Sequence, residues 1–262
     1  MSLQSRAVTM TKQMIQIEST DPGTYENAMA DWITTQLAPY PNVRLSRQEV
    51  LPGRPNLIAE LTGDPSLPAL VMICHMDTVV VGDGWTLPPF DAIEKDGKIY
   101  GRGACDMKSG LACCLSAFQY AAETLQTSGK TPKQTLKLIC SMDEEDFMRG
   151  SEACIQAGWV TDHDWVIDAE PTNGQIQMAH KGRTWYEIDV QGHTAHASTP
   201  WKGADAIAAM AEIIREIRHA ILYAPVHPDM GSSTVTFGQI TGGYRPYVVP
   251  DHCKVWIDMR LV

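Results

Sequence analysis

The chain alternates between two hydrophobic textures. Three short runs, Ala69 to Cys74, Leu136 to Met142 and Trp165 to Ala169, are apolar and partly β-branched, the pattern of strands buried on both faces. Between and before them the apolar positions recur at helical spacing. Tyr25 to Leu37 carries a stripe at 25, 28, 29, 32, 33 and 37 after the Asp21-Pro22-Gly23 punctuation, and Met107 to Glu123 and Ser151 to Ala157 repeat the pattern. Strand and helix in alternation predict an α/β domain whose mostly parallel sheet is flanked by helices.

From about Gln177 the texture changes. TWYEIDVQG alternates apolar with polar, and Gly203 to Ile221 is amphipathic, with Ile207, Met210, Ile214, Ile217 and Ile221 spaced by three and four. STVTFGQITGG and HCKVWIDMRLV then predict two more strands. This order gives a smaller α+β unit with one solvated sheet face. The boundary falls near Gly174 to Met178, dividing the chain into 1–176 and 177–262.

The composition narrows the functional classes. The chain's 262 residues are 44% hydrophobic, enough for a large core, and 21 basic against 31 acidic side chains leave a net charge of −10. So acidic a chain repels a phosphate backbone, which argues against nucleic acid as a partner. Seven cysteines, most inside apolar runs such as ALVMIC and LACCLSAF, suggest reduced thiols. The first residues lack a signal-type apolar stretch, and no run reaches the roughly 20 apolar residues of a membrane span. The expectation is a soluble, cytoplasmic protein.

Candidate chemistry sits where the apolar runs end. His75 and Asp77 follow the first run, Glu144 and Glu145 the second, and Glu170 the third, while Asp106 lies in GRGACDMKSG just before a helix. In open parallel sheets ligands bind beyond the carboxyl ends of the strands, so these groups are expected to converge. One imidazole and several carboxylates suit hard or borderline cations. The glycine-rich loop lacks the last glycine of G-x-G-x-x-G and the Gly-Lys of a P-loop, which removes a nucleotide reading.

Five ordered segments, VMICHMDTVV, YGRGACDMKSG, SMDEEDFMRGS, DAEPT and VQGHTAHASTPWKGADAI, together resemble the metallopeptidase family of acetylornithine deacetylase, succinyl-diaminopimelate desuccinylase, aminoacylase and glutamate carboxypeptidase. The resemblance implies a phosphorylase/hydrolase-like catalytic domain and a ferredoxin-like lid that pairs two subunits into a homodimer. It implies two divalent ions per subunit, zinc first, with cobalt or manganese as alternatives. Asp106 would bridge the ions, His75 and Glu170 would complete one site, and Glu145 would serve the other. Glu144 would be the general base, Asp77 would orient the His75 imidazole, and His196 would reach a partner's site and donate to the developing oxyanion. The implied substrate is an N-acyl amino acid or short peptide whose amide bond is cleaved.

Two features depart from that pattern. The chain stops at Asp258-Met259-Arg260-Leu261-Val262, where the resemblance implies a further segment that returns to the first domain with a histidine for the second ion. Tyr247 stands where relatives commonly carry a substrate-contacting asparagine. Arg183 and Arg260 are candidates for gripping a substrate carboxylate. The alternatives are a catalytically inactive metal-binding or dimerisation module, or an inactive fragment of the enzyme.

Overall fold

A computed structural model describes residues 2–262, which divide into two units, one ending at Gly174 and one beginning at Gln175. In the first unit, helix α1 (Leu3–Ile15) opens on Ser2, whose hydroxyl accepts the Ser5 N–H at 3.1 Å and so satisfies a free helix-start donor. Helix α2 spans Asn27–Leu37, inside the 25–37 stripe. Strands β1 (Arg44–Leu51) and β2 (Arg54–Leu61) form a tight hairpin, closed by Gly53 at φ 72°. β3 (Leu70–His75), helix α3 (Ser109–Ser128), β4 (Leu136–Ser141), helix α4 (Arg149–Gln156) and β5 (Trp165–Asp168) follow.

The five strands form one sheet in the order β1-β2-β4-β3-β5. β3 pairs in parallel with β4 and β5, whereas β2 pairs antiparallel with β1 and β4. The sheet is therefore mixed in its pairings rather than mostly parallel. The reason is local: a two-residue turn can join only antiparallel strands, and the β1–β2 hairpin was not part of the sequence expectation.

Side chains alternate across this sheet as the pleat requires. Leu57, Ala59, Met72, Cys74, Leu138 and Cys140 face a core shared with Met14, Ile33, Leu37, Leu111, Leu115 and Phe118 of α1, α2 and α3. Ile58, Val71 and Ile139 face the opposite side with Cys154 of α4. β5 corrects the expectation of a third buried strand. It forms, but at the edge of the sheet, with Trp165, Val166 and Ile167 at least half exposed, because no described strand pairs with its outer side.

The second unit has a three-stranded antiparallel sheet. Its strands are β6 (Gly182–Gln191), β7 (Thr234–Gly242) and β8 (His252–Leu261), in the order β6-β8-β7. Helix α5 (Ala206–Leu222), capped by the Asp205 carboxylate on the Ala208 N–H at 2.9 Å, lays Ala206 and Met210 against Cys253, Val255 and Ile257. Three strands and one long helix make an α+β unit; a complete ferredoxin-like arrangement has four strands and two helices. All seven cysteines are free, with Cys105 and Cys113 exposed and the other five buried. No helix among the described residues is long and apolar enough to cross a membrane.

Candidate metal centre

The registers of β3, β4 and β5 bring their carboxyl ends to one side of the sheet: His75 lies opposite Ser141, and Ile73 opposite Asp168. His75 ends β3, Glu144 and Glu145 come just after β4, and Glu170 comes two residues after β5. Asp106 arrives from the segment Ala104–Lys108 that leads into α3. Around the His75 Nε2 atom lie Asp106 Oδ1 at 3.1 Å, Glu170 Oε1 at 3.4 Å and Glu144 Oε2 at 3.9 Å. Two overlapping sets, His75 with Asp106 and Glu145, and His75 with Glu144 and Glu170, each place their ligand atoms within 4.8 Å of one another.

The electrostatics follow from this crowding. Burial opposes charging of the His75 ring, yet the hydrogen bond to Asp106 and the surrounding carboxylates outweigh it and push the imidazole up to about 9. The same hydrogen bond holds Asp106 below the usual carboxylate range. Glu145 and Glu170 are pushed up to about 7, first by burial and then by the neighbouring carboxylates. A protonated ring would offset part of the negative charge of these carboxylates. The donor set of one imidazole and four carboxylates fits a divalent cation of the zinc class, which would displace that proton.

The supports of these side chains are buried. The His75 Nδ1 atom lies 2.9 Å from the Asp77 carbonyl oxygen, a contact that fixes the ring with Nε2 towards the carboxylates. The carboxylate of Asp77 is farther from the ring, at 3.7 Å, and it accepts the backbone N–H groups of Glu144 at 3.1 Å and Glu145 at 3.0 Å. Asp77 thus orients the imidazole through its main chain and uses its side chain to hold the acidic loop. Lys108 is fully buried and donates to the carbonyls of Met14 and Ile17 at 3.0 and 2.8 Å, tying the Asp106 segment to the end of α1. Burial pushes its ammonium down to about 7.

Motif reading passed over a group that the fold brings beside the acidic loop. Arg54 donates Nε to Glu26 at 2.9 Å and Nη2 to Glu26 and Asp21, and its guanidinium lies over the Tyr25 ring at 4.2 Å. Asp143 accepts Arg149 through Nε and Nη2, both at 2.6 Å. Asn56 accepts the Met142 N–H at 3.0 Å. The one signal in the sequence was an arginine, Arg54, placed just ahead of the apolar run Leu57 to Ala59.

The remaining candidates belong to the second unit. His196 is exposed, with Nδ1 at 2.8 Å from the Ser198 hydroxyl, and its loop is pinned by the Ala197 N–H to the Tyr247 carbonyl at 3.1 Å and the Val249 N–H to the Ala195 carbonyl at 2.9 Å. Tyr247 is exposed. Arg260 pairs with Asp258 at 2.7 Å, and Arg183 lies over the Trp185 ring at 5.0 Å.

Comparison with known proteins gives the family of the chain. A probable succinyl-diaminopimelate desuccinylase of Staphylococcus aureus is 36% identical over 236 residues, covering 80% of this chain and 58% of the relative. An acetylornithine deacetylase of Proteus mirabilis is 31% identical over 245 residues, covering 89% of this chain and 59% of the relative. The chain thus spans less than two thirds of the length of these relatives. An M20 family metallo-carboxypeptidase from Sulfolobus solfataricus shares the fold, with a TM-score of 0.73 at 18% identity over 98% of this chain and 71% of that one. The model of peptidase family M20/M25/M40 matches residues 71–249, and the chain belongs to that family.

Proposed function

We propose that this chain carries the metal site and general base of a two-metal hydrolase that cleaves the amide bond of an N-acyl amino acid or short peptide. The convergence of His75, Glu144, Glu145 and Glu170, from the ends of three parallel strands, with Asp106, from the segment before α3, carries the proposal. The names of the desuccinylase and deacetylase relatives favour acylated amino acids as the substrate class.

His75, Asp106 and Glu170 would hold one ion, and Asp106 with Glu145 would contribute to a second. Zinc is the first choice for this imidazole and carboxylate set, with cobalt or manganese as alternatives. Such a pair supplies Lewis acidity, which makes hydroxide available near neutral pH and polarises a carbonyl. Glu144 takes a proton from water on its carboxylate and returns it to the departing amine. Its N–H bond to Asp77 anchors the loop through the main chain and does not engage its carboxylate. Asp77 fixes the imidazole so that Nε2 faces the reacting region. Residues 1–176 then act as the catalytic domain and 177–262 as the lid, through which two copies pair so that each His196 serves the partner's site in a cytoplasmic homodimer. His196 would donate to the oxyanion that develops during attack.

The test is Glu144→Ala with metal content and turnover of acetylated, succinylated and dipeptide substrates measured together. The expected result is unchanged metal content with hydrolysis lowered by about 10²–10⁴-fold. Loss of an ion would make Glu144 a ligand, and a protein that takes up no metal would support the inactive alternative.

A further inference from the structure

The acidic loop after β4 is held by its main chain. Four successive N–H groups end on buried side chains: Met142 on Asn56 at 3.0 Å, Asp143 on Glu26 at 3.1 Å, Glu144 on Asp77 at 3.1 Å and Glu145 on Asp77 at 3.0 Å. Asp143 has φ 62°, a left-handed conformation costly for a residue with a side chain, so the surroundings must impose it. Of the groups that do so, Glu26 and Arg54 lie outside every ligand set that contains His75.

Glu26 is fully buried at the start of α2, far in sequence from the loop it meets. Its Oε1 atom accepts both the Asp143 N–H and Arg54 Nη2, and its Oε2 accepts Arg54 Nε. Arg54 also reaches the Asp143 carboxylate at 3.4 Å, and Arg149 grips the same carboxylate through both of its oxygens. One guanidinium therefore joins the side chain that holds the loop to the loop itself. Burying Arg54 with carboxylates carries a desolvation cost that apolar packing would avoid, so the network is poorly explained as a stabiliser alone. The carboxylates of Asp21, Glu26 and Asp143 already have a cation in Arg54, which argues against their group as a second metal site.

We infer that Glu26 and Arg54 are positioning residues: their fork holds the Asp143 main chain in its left-handed turn, so that the carboxylates of Glu144 and Glu145 are aimed at His75 before any ion arrives. The inference rests on the reading of that centre as a metal site, and pre-set ligands bind a cation without paying to order the loop. In Glu26→Gln the amide oxygen can still accept one N–H, but the paired contact with Arg54 is lost and an NH2 group faces a guanidinium.

The experiment measures amide hydrogen exchange and zinc binding by calorimetry on the unsubstituted chain, Glu26→Gln and Arg54→Lys. In Glu26→Gln the amides of Asp143, Glu144 and Glu145 are expected to exchange about tenfold faster or more, while those of Ile139 and Cys140 in β4 are unchanged. Zinc affinity is expected to fall by about 10–100-fold, the usual effect of removing an outer support. Arg54→Lys, which keeps the charge but not the fork, is expected to move both readouts in the same direction and serves if Glu26→Gln does not fold. Unchanged exchange at Glu144 and Glu145 overturns the inference, and so does a uniform rise that includes β4, which would mark a stability role only. If the unsubstituted chain binds no zinc, the metal reading fails while the exchange comparison still decides the clamp.

Discussion

Asp77 shows how one residue serves two ends of the site. Its carbonyl fixes the imidazole of His75 and its two carboxylate oxygens each accept a loop N–H. Burial pushes its carboxyl up to about 6, yet the imidazolium and the two N–H donors favour the ionised form. Asp77→Asn keeps the carbonyl and one acceptor but turns an NH2 group towards the second N–H. It is expected to cost about 1–3 kcal/mol, the penalty for a buried donor left without a partner. Denaturant unfolding of the two proteins checks this, and equal midpoints would show that the carboxylate pair is dispensable.

At the scale of elements, the approach of α3 to the end of β5 sets the distance between Asp106 and Glu170. Gly110, in the first turn of α3, lies so close to this strand end that a Cβ would stand 2.3 Å from the Ala169 carbonyl oxygen. Gly110→Ala is expected to force the two apart and destabilise the unit by about 1–3 kcal/mol, with weaker zinc binding as the accompanying readout. Retained affinity and stability would mean that the strand end yields freely. A second link joins α1 to α3 through Arg6 and Glu123 at 2.9 Å, with the Tyr40 hydroxyl donating to the same carboxylate at 2.8 Å. The hydrogen bond from Arg6 holds Glu123 below its ordinary value of 4.5. A depressed carboxylate stabilises the fold above its unfolded pKa and loses that contribution as the pH falls through the folded one. Glu123→Gln is therefore expected to cost up to about 1 kcal/mol at neutral pH, a small figure because the pair is partly exposed. The difference from the unsubstituted protein should shrink as the pH drops below 4.5, which parallel unfolding curves would reveal.

At the scale of the whole molecule, the two units give the metal reading a built-in control. The proposed ligands all belong to residues before Gly174, so zinc at about 100 times its Kd is expected to stabilise that unit by about 2.7 kcal/mol. The unit after Gly174 should be unaffected, and a chelator should reverse the shift. Calorimetric unfolding, accompanied by amide exchange at β4 for the first unit and β8 for the second, follows each unit. A shift in neither, or an equal shift in both, would remove the ion from the first unit.

The residues that end the apolar runs were legible because secondary structure is local: a short run of Val, Ile, Leu and Cys marks a strand, and polar groups just beyond it fall at its carboxyl end. Hence His75, Glu144, Glu145 and Glu170 could be nominated from periodicity, and α2, α3, α4 and α5 from helical spacing. Three things needed the tertiary structure. The β1–β2 hairpin makes the sheet mixed, the exposed side of β5 depends on which strands neighbour it, and Glu26, Arg54 and Asn56 act across long stretches of chain. Glu26 and Asn56 accept backbone N–H groups, which every residue but proline carries and no motif marks, and Arg54 joins the carboxylates of Asp21, Glu26 and Asp143. The sequence by itself determined which acidic and histidine side chains fall just beyond the ends of the strands. Only the folded arrangement decided which buried side chains hold them in place, because that depends on strand register and on contacts between residues far apart in the chain.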